Sequence, residues 1–163
     1  MTAISTIPQA GQAAPVFDLP ASNGKNVALK DFKGKKNVVL YFYPKDDTPG
    51  CTVEACNFRD EIKNVEKLDA VVLGISPDGV KEHNKFIEKF NLPFLLLADE
   101  EQKTCRDYGV WVEKSMYGRK YMGVARTTFI IGKDGRIKKI FEKVKPEGHA
   151  QEVIEILKEI IKS

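Results

Sequence analysis

The sequence is short of three features that would point directly to a class of protein: cysteine, net charge and long apolar runs. Three cysteines among 163 residues are too few, and odd in number, for the disulfide scaffold of a small secreted protein. A net charge of +3 is too small to indicate a nucleic-acid partner. No apolar stretch approaches the roughly 18 residues of a membrane span, and residues 1–15 contain no signal-peptide pattern. We therefore expect a cytoplasmic protein that binds neither nucleic acid nor membrane.

The composition is that of a globular protein, with 42% hydrophobic and 30% charged residues. A chain of this length fits one domain that buries roughly two thirds of its unfolded surface. No repeat, low-complexity tract or interior linker interrupts it. We expect a single domain over residues 1–163, in which residues 1–14 are small and polar and form a loose N-terminal arm.

Hydrophobic runs and helical periodicities alternate along the chain. Unbroken β-branched and apolar runs predict buried strands over 37–43, 71–75, 94–97 and 127–131. Apolar residues at helical spacing predict one helix from about residue 51 to 68, one opened by Ser76-Pro77-Asp78, a short one over 100–108 and a last one over 150–161. Turn signals at 22–25 and 132–135 predict two hairpins, the second returning as a strand over 136–144. This order predicts an α/β protein with a thioredoxin-like fold: a central mixed β-sheet flanked by helices, and an N-terminal β-hairpin.

Cys51 occupies the most informative position, between a buried strand and a helix. Free N–H groups and the macrodipole at a helix N-terminus stabilise a thiolate. The Thr48 hydroxyl, three residues earlier, is within reach of the sulfur or of an oxygen bound to it. Pro44 and Pro49 restrict the turn and shield the thiol from water. The pattern favours a reactive thiol over a buried apolar one.

A second thiol, Cys56, follows five residues later. On a regular helix this spacing places the two side chains about 140° apart and the two Cα atoms about 8–9 Å apart. A disulfide needs Cα atoms within about 7 Å. If Cys51 and Cys56 pair, the first turns of the helix must therefore unwind.

Pro44, Thr48 and Cys51 have the spacing Pro-x-x-x-Thr-x-x-Cys, which is similar to the signature of the peroxiredoxins. With Cys56, the chain resembles the bacterioferritin comigratory protein branch of that family, also called the Q type. The likeness runs from about Ala14 to the C-terminus.

Two charged residues extend the resemblance. Arg126, just before the predicted strand 127–131, matches the active-site arginine of the family. Glu54 matches a carboxylate that often holds this arginine. Residues 108–111 and 128–131 also resemble the Q-type branch.

The resemblance implies a thiol-dependent peroxidase that needs no metal or organic cofactor. The Cys51 thiolate would attack H₂O₂ or an organic hydroperoxide and become a sulfenic acid. Thr48 and Arg126 would orient the peroxide, and Pro44 would close the pocket. Cys56 would then form an intramolecular disulfide with Cys51, which thioredoxin or a similar dithiol protein would reduce. Members of this branch are often monomers.

Three other interpretations stay open from the residues alone. A zinc site would combine Cys51, Cys56 and Cys105 with His83 or His149, although the spacing is unusual and each histidine is more simply a surface residue. A thiol–disulfide oxidoreductase of the same fold would normally use Cys-x-x-Cys. A non-catalytic binding module would leave the Pro/Thr/Cys/Arg set unexplained. We expect Cys105 to be a spectator.

Overall fold

The computed structural model of the chain describes residues 7–162. In chain order its elements are β1 (Asp18–Pro20), β2 (Asn26–Ala28), a one-turn 3-10 helix (Leu29–Phe32), β3 (Asn37–Phe42), α1 (Pro49–Asp60), α2 (Ile62–Lys67), β4 (Ala70–Ser76), α3 (Val80–Phe90), β5 (Leu95–Ala98), α4 (Lys103–Asp107), β6 (Trp111–Met116), β7 (Arg119–Val124), β8 (Thr127–Ile131), β9 (Ile137–Phe141) and α5 (His149–Lys162).

The centre of the fold is a five-stranded mixed sheet in the order β5-β4-β3-β8-β9. Strands β3, β4 and β5 run parallel, whereas β8 and β9 are antiparallel to their neighbours. The two small hairpins, β1-β2 and β6-β7, form separate two-stranded sheets. The predicted α/β class, the four core strands and the N-terminal hairpin are therefore all present. The return strand predicted over 136–144 is shorter and ends at Phe141.

Strand β3 is buried along its whole length because both faces of the sheet are covered. Alternate residues enter two separate apolar clusters, with Leu40 in one and Tyr41 in the other. Side chains of α1, α2, α3 and α5 cover the Tyr41 face. Helix α4 and the N-terminal hairpin cover the Leu40 face. This double cover explains why the strand has no polar alternation.

The single helix predicted over 51–68 is broken into α1 and α2 at Glu61. The predicted apolar stripe is correct, because Ala55, Phe58 and Val65 are all buried. The break occurs where Glu61 leaves helical geometry at φ −107° and ψ 8°. Apolar spacing alone carries no signal for such an interruption, since the stripe continues across it.

The predicted helix start at Ser76-Pro77-Asp78 is wrong. Ser76 is the last residue of β4, paired with Ala98 of β5, and α3 begins at Val80 after Gly79. The Ser76 hydroxyl instead donates to Asp78 Oδ2 at 2.7 Å. Ser76 therefore pairs within the sheet and does not cap the helix, although serine is a residue type that favours helix caps.

The N-terminal arm predicted over 1–14 differs from expectation in its second half, while its first six residues lie outside the described residues. Gly11 donates its N–H to Ile137 O at 2.7 Å, and Ala14 donates to Gly135 O at 2.9 Å. Ala13 forms an isolated antiparallel bridge with Arg136. This part of the arm is held because the outer edge of β9 offers unpaired backbone groups.

The β6-β7 hairpin was not expected from the sequence. Its strands are mostly exposed and polar, so they lack the apolar run that marks the core strands. The turn at Tyr117-Gly118 has φ of 52° and 78°, which is the geometry of a two-residue hairpin turn. Gly118 is the residue in the sequence that could have indicated this turn. No helix among residues 7–162 is long and apolar enough to cross a membrane.

The packing around Gly74 gives a test of the sheet. A Cβ at Gly74 would lie 2.7 Å from Leu96 Cδ2 and 2.9 Å from Tyr41 Cζ, on the two strands that flank β4. We expect Gly74→Ala to lower the free energy of unfolding by about 1–3 kcal/mol through overpacking. Urea unfolding measures it. Gly123→Ala is the matched control, because its new Cβ would meet the flexible Lys114 side chain at 3.3 Å and Tyr121 Cε2 at an ordinary contact distance of 3.5 Å. Equal effects at the two positions would contradict the packing.

Candidate active site

The site begins at the N-terminus of α1. Thr48 precedes the helix with extended backbone, and Pro49 takes the first helical position, where its missing N–H costs nothing. The Thr52 N–H donates to Thr48 O at 2.8 Å and closes the first turn. Cys51 therefore lies in this turn, where free backbone N–H groups favour a negative sulfur. Its side chain is buried, with 1% of the residue exposed.

The Arg126 side chain contacts Cys51 from the segment immediately before β8. Its Nη2 lies 3.4 Å from Cys51 Sγ, and its Nη1 donates to Glu54 Oε1 at 2.8 Å. Backbone bonds fix the arginine immediately before β8, since its carbonyl accepts the Val144 N–H. Burial pulls the pKa of Arg126 down, but the charges of Cys51 and Glu54 outweigh it and raise the pKa overall. The guanidinium is thus a fixed cation beside the thiol.

Glu54 is a fully buried carboxyl at 0% exposure. Burial raises its pKa from 4.5 to about 7, against the opposing effect of Arg126. Its second oxygen, Oε2, and the Tyr41 hydroxyl are buried atoms without a hydrogen-bond partner among the described residues. Burial and the nearby charges of Glu54 and Cys51 raise the pKa of Tyr41 well above 10, so its hydroxyl keeps its proton.

Two further predicted site residues, Thr48 and Pro44, lie in the loop before α1. Thr48 Oγ1 donates to Lys45 O at 2.9 Å, so in this state its hydroxyl proton is directed to the loop. Pro44 is half-buried, two residues beyond the end of β3 at Phe42. The structure thus joins Arg126 to both Cys51 and Glu54, while Thr48 and Pro44 lie in the loop that precedes α1.

Cys56 lies on the same helix as Cys51 and is partly exposed. All three cysteines are free thiols. Because α1 is regular from Pro49 to Asp60, the spacing argument applies, and the two sulfurs cannot bond in this conformation.

Cys105 lies apart from the other two thiols, in α4. It is fully buried, and its N–H donates to Asp99 Oδ2 at 2.8 Å. Burial, together with the charge of Asp99, raises the pKa of Cys105 far above its ordinary value. A thiol in such surroundings is unreactive.

The two histidines are not surface residues, contrary to expectation. His83 is 0% and His149 is 1% exposed. His149 Nε2 lies 2.8 Å from Thr128 Oγ1, with its ring edge-on to Phe58. Each histidine is buried because its ring nitrogens find partners inside the fold. Residues 7–162 contain no group of three or more His, Cys, Asp or Glu that could hold a metal ion.

Lys114 is a residue near the site that sequence reasoning missed, because it belongs to the unexpected hairpin. Burial and the positive charge of Arg126 lower its pKa, while Cys51 acts in the opposite direction. The β6-β7 hairpin therefore places the half-buried Lys114 ammonium group where it interacts with the charges of Arg126 and Cys51.

Comparison with known proteins gives a consistent result. The AhpC/TSA family model matches residues 10–140. Peroxiredoxin Bcp of Bacillus subtilis (strain 168) is 51% identical over 150 residues, covering 92% of this chain and 95% of that protein. A mutant of PrxQ from Xylella fastidiosa has a TM-score of 0.87 at 35% identity, covering 98% and 99% of the two chains. A Xanthomonas campestris bacterioferritin comigratory protein, studied for alkyl peroxide reduction, has a TM-score of 0.84 at 38% identity, covering 88% and 91%.

The chain belongs to the AhpC/TSA family. Within that family it is a peroxiredoxin of the Bcp, or Q-type, branch, and hence a thiol-dependent peroxidase with the thioredoxin-like fold. The expected family and fold are confirmed. Membership favours the peroxidase over the three alternatives that the residues alone left open. It also means that the chain acts on peroxides and is recycled by a thiol reductant.

The raised pKa of Glu54 predicts how stability depends on pH. The folded state favours protonated Glu54, so the carboxyl destabilises the fold increasingly as the pH rises from 4.5 to about 7. Glu54→Gln cannot lose a proton. Relative to this variant, the free energy of unfolding of the reduced parent protein should fall by up to about 3 kcal/mol over that range. Urea unfolding at several pH values measures the difference, and a constant difference would contradict the assignment.

Proposed function

We propose that Cys51 is the thiol that reacts with peroxide. The observation that carries this assignment is the position of its sulfur, 3.4 Å from Arg126 Nη2 and in the first turn of α1. Both the guanidinium and the helix N-terminus stabilise a thiolate. Cys105 also lies in the first turn of a helix, the short α4, but its own N–H there donates to Asp99, and burial and the charge of Asp99 raise the pKa of its thiol.

In the proposed reaction the Cys51 thiolate attacks the terminal oxygen of ROOH. A sulfur–oxygen bond forms as the oxygen–oxygen bond breaks, so the sulfur loses two electrons and the peroxide gains them. The departing RO⁻ takes a proton and leaves as ROH, or as water when the substrate is H₂O₂. Cys51 is left as a sulfenic acid. The alkyl peroxide work on the Xanthomonas relative supports organic hydroperoxides as a second substrate class.

The neighbouring side chains take supporting roles in this proposal. Arg126 and the Thr48 hydroxyl hold the two peroxide oxygens and stabilise charge on the departing one. Glu54 fixes the guanidinium through its 2.8 Å bond. Pro44, in the loop between β3 and α1, limits the access of water to the thiol.

We propose that Cys56 resolves the sulfenic acid. Its thiol attacks the Cys51 sulfur, a disulfide forms and water leaves. This step requires the first turns of α1 to unwind, because the helical spacing holds the Cα atoms too far apart. A dithiol protein of the thioredoxin class then exchanges with the disulfide and returns both thiols.

The setting we propose is a monomer in the cytoplasm that binds neither membrane nor nucleic acid. Three free thiols suit a reducing compartment, and a net charge of +3 offers little to nucleic acid. Each outer strand of the sheet carries a backbone partner from the same chain at one point: β5 through the bridge Ala21–Leu97, and β9 through the Ile137 N–H, which donates to Gln12 O. These contacts occupy part of each edge through which a second copy would otherwise pair. No metal or organic cofactor is required.

The roles of the three cysteines are separable by substitution. Cys51→Ser should abolish peroxide consumption, because no other thiol is placed to react. Cys56→Ser should allow one turnover and leave a sulfenic acid that dimedone traps on Cys51. Mass spectrometry after one equivalent of H₂O₂ should show a Cys51–Cys56 link in the parent protein.

Cys105→Ser is the matched control for these variants and should consume peroxide like the parent protein. A Cys51–Cys105 link would keep the peroxidase but overturn the resolving role of Cys56. Full activity of Cys51→Ser would overturn the assignment of the reactive thiol.

Removing the guanidinium tests the electrostatic part of the proposal. Arg126→Gln should lower the second-order rate constant for Cys51 oxidation by about 100-fold or more, the usual cost of losing a charge-stabilising donor. Stopped-flow measurement with H₂O₂ gives the rate constant. Arg106→Gln, at an exposed position of α4, is the control and should leave it unchanged. A loss well below tenfold for Arg126→Gln would argue against direct contact with the peroxide.

A further inference from the structure

A buried polar network lies behind the loop that leads into α1, which we call loop 44–48. Asp46 is its centre, and its side chain is only 6% exposed. Asp46 Oδ2 lies 2.6 Å from His83 Nδ1, and the Tyr43 hydroxyl donates to Asp46 Oδ1 at 2.5 Å. Burial raises the pKa of Tyr43 well above 10, so this hydroxyl serves as a donor. Neither Asp46 nor His83 has a role in the chemistry described so far.

The contacts of His83 fix the number of protons in the network. Its Nε2 lies 2.9 Å from Leu97 O, and a carbonyl only accepts, so Nε2 carries a hydrogen. The contact between Nδ1 and Asp46 Oδ2 also needs one hydrogen, because an ionised carboxylate and a bare ring nitrogen are both acceptors. With that proton the pair has no net charge. Removing either partner would leave a buried polar group unpaired, which is costly.

The network ties loop 44–48 to the segment that carries α3. The Asp46 N–H donates to Asp78 Oδ2 at 2.8 Å, and the same oxygen accepts from the Ser76 hydroxyl. On the surface, Lys89 Nζ contacts Asp47 Oδ2 at 2.8 Å. Asp47 itself has φ of +58°, a left-handed conformation that aspartate adopts more readily than most residues. The loop conformation is thus set from outside α1.

Thr48 directly follows Asp46 and Asp47, the two residues through which these contacts hold the loop. Its hydroxyl donates to Lys45 O within the same loop, and its carbonyl starts α1. A shift of the loop would therefore move the Thr48 hydroxyl, whereas Cys51 also has the helix N-terminus and Arg126 to hold it.

We propose that Asp46 and His83 act together as positioning residues, holding loop 44–48 on α3 so that the Thr48 hydroxyl is placed over Cys51 for reaction with peroxide. The proposal rests on the function proposed above for Cys51 and Thr48. It adds α3, which contributes no atom to the thiol site, to the elements that determine the rate of the peroxide step.

Two rates separate positioning of Thr48 from general damage to the site. The first is oxidation of Cys51 by H₂O₂, which requires the hydroxyl. The second is alkylation of Cys51 by iodoacetamide, which requires only an accessible thiolate. For Asp46→Ala and His83→Ala we expect peroxide oxidation to slow by about tenfold or more, while alkylation stays within about threefold of the parent protein. The double variant should be no slower than either single variant, because the two residues act as one unit.

Two further variants make the comparison specific. Asp46→Asn keeps the shape of the side chain: its amide can donate to an unprotonated His83 Nδ1, and its oxygen can accept from Tyr43. It should recover most of the rate lost in Asp46→Ala. Lys89→Ala breaks an exposed contact between the same two elements, and such pairs contribute little, so it should match the parent protein.

Circular dichroism shows whether the alanine variants at Asp46 and His83 fold. If they do not, Asp78→Ala provides a second test of the same proposal. Asp78 is partly exposed, so its removal frees the loop without leaving a buried charge, and it should slow peroxide oxidation selectively. Parent-like peroxide rates in all folded variants would overturn the positioning role, as would an equal loss of alkylation. Failure of the parent protein itself to consume peroxide would instead overturn the proposed function.

Discussion

The ion pair between Glu54 and Arg126 is the interaction on which the arrangement of the site depends. It joins α1 to the start of β8, two segments separated by 72 positions in the chain, and it does so where the carboxyl has no access to water. A buried carboxylate without its cation costs several kcal/mol, so the two elements have one strongly preferred arrangement. Because Arg126 uses its other nitrogen on Cys51, the arrangement that satisfies Glu54 also places a positive charge beside the thiol.

Helix α1 meets two requirements that oppose each other. As a folded helix it presents the Cys51 sulfur to its own N-terminus and to Arg126. As a helix it also keeps Cys56 out of reach. The buried side chains of α1 are Cys51, Glu54, Ala55 and Phe58, of which only Phe58 is large and apolar, whereas α5 buries Val153, Ile154 and Leu157 among others. The apolar contribution to the cost of opening this helix is therefore small, whereas the contact of Glu54 with Arg126 opposes the opening.

The features that sequence patterns predicted are those with a local signature. Strand β3 and strand β8 are unbroken apolar runs, and Cys51 follows a strand in a proline-bounded turn. Arg126 has no such signature, because an arginine at a strand end looks like any surface arginine; only the resemblance to a family identified it. The burial of His83 and His149 depends on partners distant in the chain, Leu97 and Thr128, which no periodicity reports. The exposed β6-β7 hairpin has no apolar pattern from which it could be predicted. Ser76 was predicted to cap a helix, but it pairs within the sheet instead.

The N-terminal segment has a consequence for the order in which the protein is assembled. Residues 11–14 pair with residues 135–137, and Arg136 donates to Gly11 O across 125 positions. These residues have no docking site until residues 135–137 have been made. Contacts of such long sequence separation form slowly because the loop between them must close first. During translation residues 11–14 therefore remain unpaired until residues 135–137 follow, and only then can they cover this edge of the sheet.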